Sequence, residues 1–378
     1  MKSVSIKQHR RGHPWIFSNE VRKKEPIGPG EIVDIYQGKR FLGRGFYHPH
    51  SLIAVRKFSN AVQEFAPPFV DAMIAKALEY RKAHVRTGSF RLVYSESDGL
   101  PGLIVDKYEA TFVVQINCYG MDARRELVFN SLLKLGPDCI YERSDTSQRT
   151  LEGLEPRTGL VAGRLENPVG IELDGLAFQV DIERGQKTGF FLDLGDIRRK
   201  AEVLARGRKV LDLFCYTGAF SCYAARGDAV SVTGVDSSAA AVDLAIDHSR
   251  RNELKNTAFI RADAFDFLRY DKETYDLIIL DPPSFTKSKK GLSSARRGYK
   301  EINIQAMKRL NRQGILITTS CSHHVSEEMF LQIIREAVHD AAVDLRVIDR
   351  ATQSMDHPIL VNMPESHYLK CLILQRAD

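Results

Sequence analysis

The second half of the chain carries the pattern that leaves the fewest folds open. From about Asp193 it alternates apolar strands with amphipathic helical stretches. The predicted strands are KVLDLF (Lys209 to Phe214), AVSVTGVD (Ala229 to Asp236), TAFIRAD (Thr257 to Asp263), YDLIILD (Tyr275 to Asp281) and GILITTS (Gly314 to Ser320). Strands separated by helices of about 10–15 residues are βαβ units, which implies a parallel sheet covered on both faces. DLRVIDR and YLKCLIL add two further strands near the end. A sheet of this kind binds ligands beyond the C-terminal ends of its strands, so chemistry is to be sought there.

The residues before it are organised differently. Residues 1–65 alternate short β-type runs with turn signals (IGPG, EIVDIY, FLGRGFY, SLIAVRKF), the rhythm of a small β-barrel. Pro67-Pro68 reads as a linker, and FVDAMIAKALEYRKAHV as a helix behind it. Residues from Arg91 to Ile182 mix strands, a helix over MDARRELVFNSLLKLG and a hairpin over VGIELDGLAFQVDI. The expected division is residues 1–70, 71–182 and 183–378. The formal charge of +6 lies entirely in the first 75 residues, which hold 12 Lys and Arg against 6 Asp and Glu, and points to a polyanion partner.

Other classes are disfavoured. No stretch of about 18 apolar residues is present, and MKSVSIKQHRRGH is not followed by the apolar run of a signal peptide, so a cytosolic location is expected. The six cysteines form no C-x-x-C pair, which indicates neither a disulfide framework nor a structural metal. No metal and no membrane partner are expected.

VLDLFCYTGAFS places Asp212 near the end of the first strand and Gly218 in the following turn. Only one of the three glycines of a dinucleotide fingerprint is present, so a pyrophosphate lacks its usual cradle. An acid at that position suits a cationic ligand, such as the amino group and sulfonium of S-adenosylmethionine. Asp236 follows 24 residues later, near the spacing at which a carboxylate meets ribose hydroxyls. Asp263 ends the third strand, within reach of an adenine amino group. Each of these acids, taken alone, is equally well a turn former or helix cap.

The fourth strand ends in Asp281-Pro282-Pro283-Ser284-Phe285, a stiff turn against which a flipped base can be held. By itself this turn does not separate methylation of a base carbon from methylation of a base nitrogen. Cys321 stands directly after the fifth strand in TTSCSHH, beside that turn in the expected strand order. A thiolate adding to carbon 6 of a pyrimidine makes carbon 5 nucleophilic, splitting one hard step into two easier ones. A cysteine after a buried strand is more often structural; its position, its neighbours and the resemblance below reverse that reading. His323 and His324 are candidate bases, although loop histidines are usually solvated.

Taken together, RRGHPWIFSNEV, SDGLPGLIVDKY, YERSD, QKTGFFLDLGDIR, VLDLFCYTGAFS, DPPSF and SCSHHV make the chain similar to the large-subunit (23S) ribosomal RNA cytosine-carbon-5 methyltransferases with an N-terminal PUA domain. The resemblance runs from Lys2 to Arg376. It implies an α/β Rossmann-like class I methyltransferase domain behind a β-barrel PUA domain and a small α+β middle domain. It implies S-adenosylmethionine as cofactor, Cys321 as nucleophile and Asp281 as the contact to ring nitrogen 3 and the amino group. Phe214 joins Asp212, Gly218, Asp236 and Asp263 in the cofactor set, and Lys187, Thr188 and Phe190 border the methionine end. The expected partner is ribosomal RNA, naked or partly assembled; a homodimer is left open. For RNA, Pro282 lies in the catalytic turn, Lys287, Lys289, Lys290, Arg296 and Arg297 form an acid-free basic loop after it, and Arg10, Arg11, Arg22, Lys23 and Lys24 are the backbone-binding candidates of the first domain. Trp15 is a candidate for base stacking, although a lone Trp in a small barrel is more often core. A base-nitrogen or uracil methyltransferase and a non-catalytic RNA-binding assembly factor are the competing readings.

Overall fold

The computed structural model describes residues 2–7, 9–22, 26–286 and 291–378. The chain forms two compact units. The first holds residues 1–174, 179–192 and 355–366; the second holds residues 175–178, 193–354 and 367–378.

The first unit opens with strands β1 (Ser3–Ser5), β2 (Trp15–Phe17), β3 (Ile32–Gln37), β4 (Arg40–Tyr47) and β5 (Ile53–Ser59), in the sheet order β1-β3-β4-β5-β2. Alternation in IVDIYQ buries Val33 and Ile35 with Val4, Ile6, Ile16 and Val55. Pro67 and Pro68 do not link; they open helix α1 (Pro67–His84), where a missing N–H costs nothing because first-turn amides have no intrahelical partner. Strands β6 (Phe90–Tyr94), β7 (Leu103–Tyr108) and β8 (Thr111–Ile116), short helix α2 (Tyr119–Asp122), helix α3 (Arg125–Leu133), strand β9 (Cys139–Ser144), short helix α4 (Ser147–Thr150) and strand β10 (Arg157–Gly163) follow. They make a second five-stranded sheet, β10-β9-β8-β7-β6. The expected hairpin appears as β11 (Val169–Leu173) and β12 (Leu176–Val180).

The second unit contains α5 (Gly195–Ala205), β13 (Lys209–Leu213), α6 (Ala219–Arg226), β14 (Ser231–Asp236), α7 (Ala239–Arg251), β15 (Thr257–Arg261), α8 (Ala264–Tyr270), β16 (Tyr275–Leu280), α9 (Leu292–Lys308), β17 (Leu310–Ser320), α10 (Glu327–Ala341), β18 (Leu345–Ala351) and β19 (Lys370–Arg376). The sheet order is β15-β14-β13-β16-β17-β19-β18, parallel except for β19, which runs antiparallel to both neighbours. Strand order reverses direction between β13 and β16, the switch point at which such sheets open a crevice. The core joins Leu211, Leu213, Ile278, Leu280 and Leu316 to Tyr299, Ile302, Phe330 and Ile333 of the covering helices.

Two expectations fail locally. Strand β17 begins at Leu310, four residues before the predicted Gly314, because the ladder slips between Tyr275↔Leu310 and Leu277↔Ile315, and Gln313 takes a φ of 61°. The basic loop expected over residues 287–300 is replaced by helix from Leu292 onward. Leu292, Ala295, Tyr299, Ile302 and Ala306 recur at three- and four-residue spacing and bury one face of α9. Among the described residues no helix is long and apolar enough to cross a membrane.

Candidate active site

The turn after β13 is the most constrained segment of the second unit. Within Phe214–Gly218, Phe214 (φ 61°), Tyr216 (φ 49°) and Gly218 (φ 74°) all lie in the left-handed region, costly for the two that carry side chains. The turn is held by Cys215 N–H donating to Val235 O (3.0 Å), Tyr216 N–H to an Asp236 carboxylate oxygen (2.9 Å), and a buried His248 Nδ1 2.8 Å from Thr217 O. At Gly218 an added Cβ would stand 2.8 Å from Ala245 Cβ and 3.0 Å from Phe259. Gly218→Ala therefore combines φ strain with overpacking, expected to remove about 2 kcal/mol and lower the melting temperature of this unit by about 5 °C, read by calorimetry.

Asp212 is fully buried on β13. One carboxylate oxygen accepts from Ser221 Oγ (2.6 Å); the other, Oδ1, is buried with no hydrogen-bond partner. Burial pushes its carboxyl up to about 7, and the charges of Asp281 and Asp236 add to the rise against the opposing Ser221 hydrogen bond. Asp212, Asp236 and Asp281, from three adjacent strands, thus act on one another electrostatically. A buried acid with an unused acceptor and two acidic neighbours is a residue set whose charge fits the cationic end of S-adenosylmethionine.

Asp236 accepts through one oxygen from Tyr216 N–H and through the other from Ser238 N–H (2.9 Å each), which fixes its orientation at the end of β14. Asp263 is exposed and caps α8, accepting through Oδ1 from the amides of Phe265 (2.9 Å) and Asp266 (3.2 Å). The helix-cap role is thus present at Asp263 through one oxygen alone. Phe214 is partly buried and packs against the core.

Asp281 follows β16 and accepts a hydrogen bond from Thr319 Oγ1 of β17. Leu280 pairs with Thr318, so the strand register itself sets Asp281 beside Thr319. Pro282 is buried and Pro283 exposed, so the second proline is the one facing solvent. Phe285 packs edge-on to Tyr299 at 4.7 Å. The charges of Cys321 and Asp281 both act on the buried Tyr299 hydroxyl, adding to the effect of burial in holding it well above the ordinary tyrosine range.

Cys321 follows β17 directly and is partly exposed, whereas Cys118, Cys139, Cys215, Cys222 and Cys371 are buried. Burial pushes all five of those thiols up, Cys118 and Cys222 to about 12, and keeps them protonated. His323 is exposed, its ring 5.3 Å from that of Tyr368.

The remaining candidates are dispersed. Lys23, Lys24, Lys287, Lys289 and Lys290 lie outside the described residues. Arg296 is ion-paired with Glu336 and Lys300 with Asp340 (2.8 Å), whereas Arg297 is exposed. In the first unit, Arg10, Arg11 and Arg22 are exposed, and Arg10 lies 3.7 Å from Glu365. Trp15 donates its indole N–H to buried Glu96 (2.6 Å) beneath the Arg56 guanidinium, a structural tie. Lys187, Thr188 and Phe190 also belong to the first unit. There Thr188 donates to Asp106 (2.6 Å), and Phe190 N–H to Tyr108 (3.2 Å). Thr319, Tyr299 and Lys370 stand beside Asp281 and the Cys321 segment with little to mark them along the chain. The lysine inside the apolar run YLKCLIL was the available signal.

Comparison with known proteins places the whole chain in a family. A family model described as S-adenosylmethionine-dependent methyltransferase matches residues 159–373, and a PUA-like domain model matches residues 2–60. The chain is 40% identical over 384 residues to the ribosomal RNA large subunit methyltransferase I of Alteromonas mediterranea, covering 98% of this chain and 97% of the relative. It belongs to the ribosomal RNA large subunit methyltransferase I family. The Shewanella amazonensis member of that family is 42% identical, covering 96% of this chain and 95% of the relative. The fold is shared with the methyltransferase SMU.776 solved in complex with SAH, at a TM-score of 0.87 and 22% identity over 99% of this chain and all of that one. As a member of the ribosomal RNA large subunit methyltransferase I family, the chain is an S-adenosylmethionine-dependent enzyme with an N-terminal PUA-like domain.

Proposed function

We propose that this enzyme methylates carbon 5 of a cytosine in large-subunit ribosomal RNA through a covalent bond from Cys321. The observation that carries the reading is the exposure of Cys321: one reachable thiol among six, placed one strand from Asp281. The relatives' name supplies the RNA class.

S-adenosylmethionine, when bound, supplies an electrophilic methyl group on a positively charged sulfur. Asp212 would hold its cationic end through Oδ1, Asp236 would meet the ribose hydroxyls and Asp263 the adenine amino group, with Phe214 and Gly218 shaping the turn between Asp212 and the next helix. Asp281, oriented by Thr319, accepts from the cytosine amino group. The Cys321 thiolate forms a bond to carbon 6, and the electron pair of the 5,6 double bond moves to carbon 5, the atom that would take the methyl group as its bond to the donor sulfur breaks and leaves that sulfur neutral. Loss of the carbon-5 proton to a base then reforms the double bond, the carbon–sulfur bond breaks and the thiolate returns. Exposed Arg297 flanks the target, whereas Pro282 is buried and Arg296 is taken up by Glu336; the PUA-like segment grips RNA elsewhere through Arg10, Arg11 and Arg22.

Mass spectrometry of nucleosides from large-subunit ribosomal RNA, with and without the gene, tests this reading. One 5-methylcytidine is expected to vanish; loss of a base-nitrogen methylation or of 5-methyluridine instead would overturn it. Thr319→Val removes one charge-assisted hydrogen bond from Asp281 and is expected to lower kcat about tenfold, with S-adenosylmethionine affinity unchanged in calorimetry.

A further inference from the structure

Lys370 opens β19 opposite Ser320, the residue before Cys321, and is only 5% exposed. Its ammonium donates to Ser322 O (2.6 Å) and Tyr368 O (2.8 Å), so it is bonded to the backbone immediately following Cys321. An ammonium has three donors, and these neutral carbonyls use two. A buried cation is costly without an opposing charge. No carboxylate among the described residues lies within ion-pair distance of Lys370. Besides Cys321, the acidic group that acts on it is Glu327, whose side chain pairs with Arg350 at 3.1 Å. The other group whose negative charge acts on Lys370 is the Cys321 sulfur.

We propose that Lys370 is a positioning residue that holds Cys321 as a thiolate before RNA arrives. This rests on Cys321 being the nucleophile. The thiol proton passes to solvent, which the partly exposed Cys321 meets; Lys370 keeps its own three protons, and no bond other than S–H is broken. Burial brings the Lys370 ammonium down to about 8, against the opposing pull of Cys321 and Glu327, so it stays mainly charged at pH 7. Tyr299, on which Cys321 also acts, is held neutral by burial and brings no charge to the sulfur.

The test is the pH dependence of Cys321 alkylation by iodoacetamide in the full chain without RNA, read by peptide mass with Cys321→Ala as the blank. The wild-type midpoint is expected at least about one unit below the ~8.5 of a free thiol. Lys370→Gln keeps donors for both carbonyls but no charge, and is expected to slow alkylation at pH 7 about tenfold and raise the midpoint about one unit. Lys370→Arg keeps the charge and is expected to stay within about threefold of wild type. A wild-type midpoint at or above ~8.5, or a Lys370→Gln profile that overlays the wild type, overturns the proposal; the first needs no variant to fold. Because no RNA is present, a lowered midpoint in an enzyme that forms no RNA adduct would sink the nucleophile reading, and with it the role proposed for Lys370, while leaving the charge coupling between Lys370 and Cys321 standing.

Discussion

Replacing Cys321 with alanine is expected to cut methyl transfer by at least about a thousandfold while leaving S-adenosylmethionine affinity within about twofold. The size follows from the chemistry. Carbon 5 of cytosine is a poor nucleophile, and without an addition at carbon 6 nothing in the site raises its electron density. The specificity follows from placement, because Cys321 follows β17 whereas the acids assigned to the cofactor lie on β13, at the end of β14 and just after β15. Replacing Cys222 or Cys371, both buried, is expected to alter stability and leave the pH profile of methyl transfer unmoved. Single-turnover kinetics on an RNA fragment, beside calorimetry of the cofactor, separates the two effects. Transfer surviving in the alanine variant would favour attack by a base nitrogen.

Asp212→Asn is expected to have the second largest effect, with opposite signs for binding and stability. A neutral amide offers no charge to a cationic ligand, and S-adenosylmethionine should bind about a hundredfold more weakly. Stability should move the other way. The folded-state carboxyl of Asp212, at about 7, lies above the ordinary carboxylate range, so the ligand-free fold favours the protonated acid. That contribution is fully present below about pH 4, fades as pH rises towards 7 and is absent above, with a total on the order of 4 kcal/mol. The amide that replaces the carboxyl does not titrate, so the variant should melt several degrees above wild type at pH 8 and close to it at pH 4. The same linkage requires binding at pH 6 to release nearly one proton from wild type and none from Asp212→Asn, measurable by calorimetry in buffers of different ionisation heat. Equal proton release in both would remove Asp212 from the cofactor site.

The legible parts of this fold were those in which one physical pattern dominates. Runs such as YDLIIL and GILITTS are apolar enough to be buried on both faces, and this alone demanded a covered parallel sheet. Strand ends then located Asp212, Asp236, Asp281 and Cys321. Illegible parts involved two competing signals. The run SSARRGYK reads as a basic loop by charge, yet its small and aromatic residues bury a helical face while Arg296 and Lys300 pair with α10. Pro67-Pro68 reads as a break, yet the first turn of a helix tolerates both. Thr319 and Lys370 act through cross-strand register, to Asp281 and Ser320, which depends on which strands become neighbours. No spacing along the chain encodes that.

The central claim is the bond between Cys321 and a cytosine ring, and an RNA carrying 5-fluorocytosine tests it most directly. Fluorine at carbon 5 leaves no proton to remove, so the carbon–sulfur bond cannot break after methyl transfer. Intact-protein mass spectrometry with S-adenosylmethionine and substituted large-subunit RNA should reveal a denaturant-stable adduct, mapped by peptide to Cys321 and missing from Cys321→Ala. An enzyme that methylates the unsubstituted RNA yet forms no adduct with the fluorinated one, or forms it through another residue, would contradict the account.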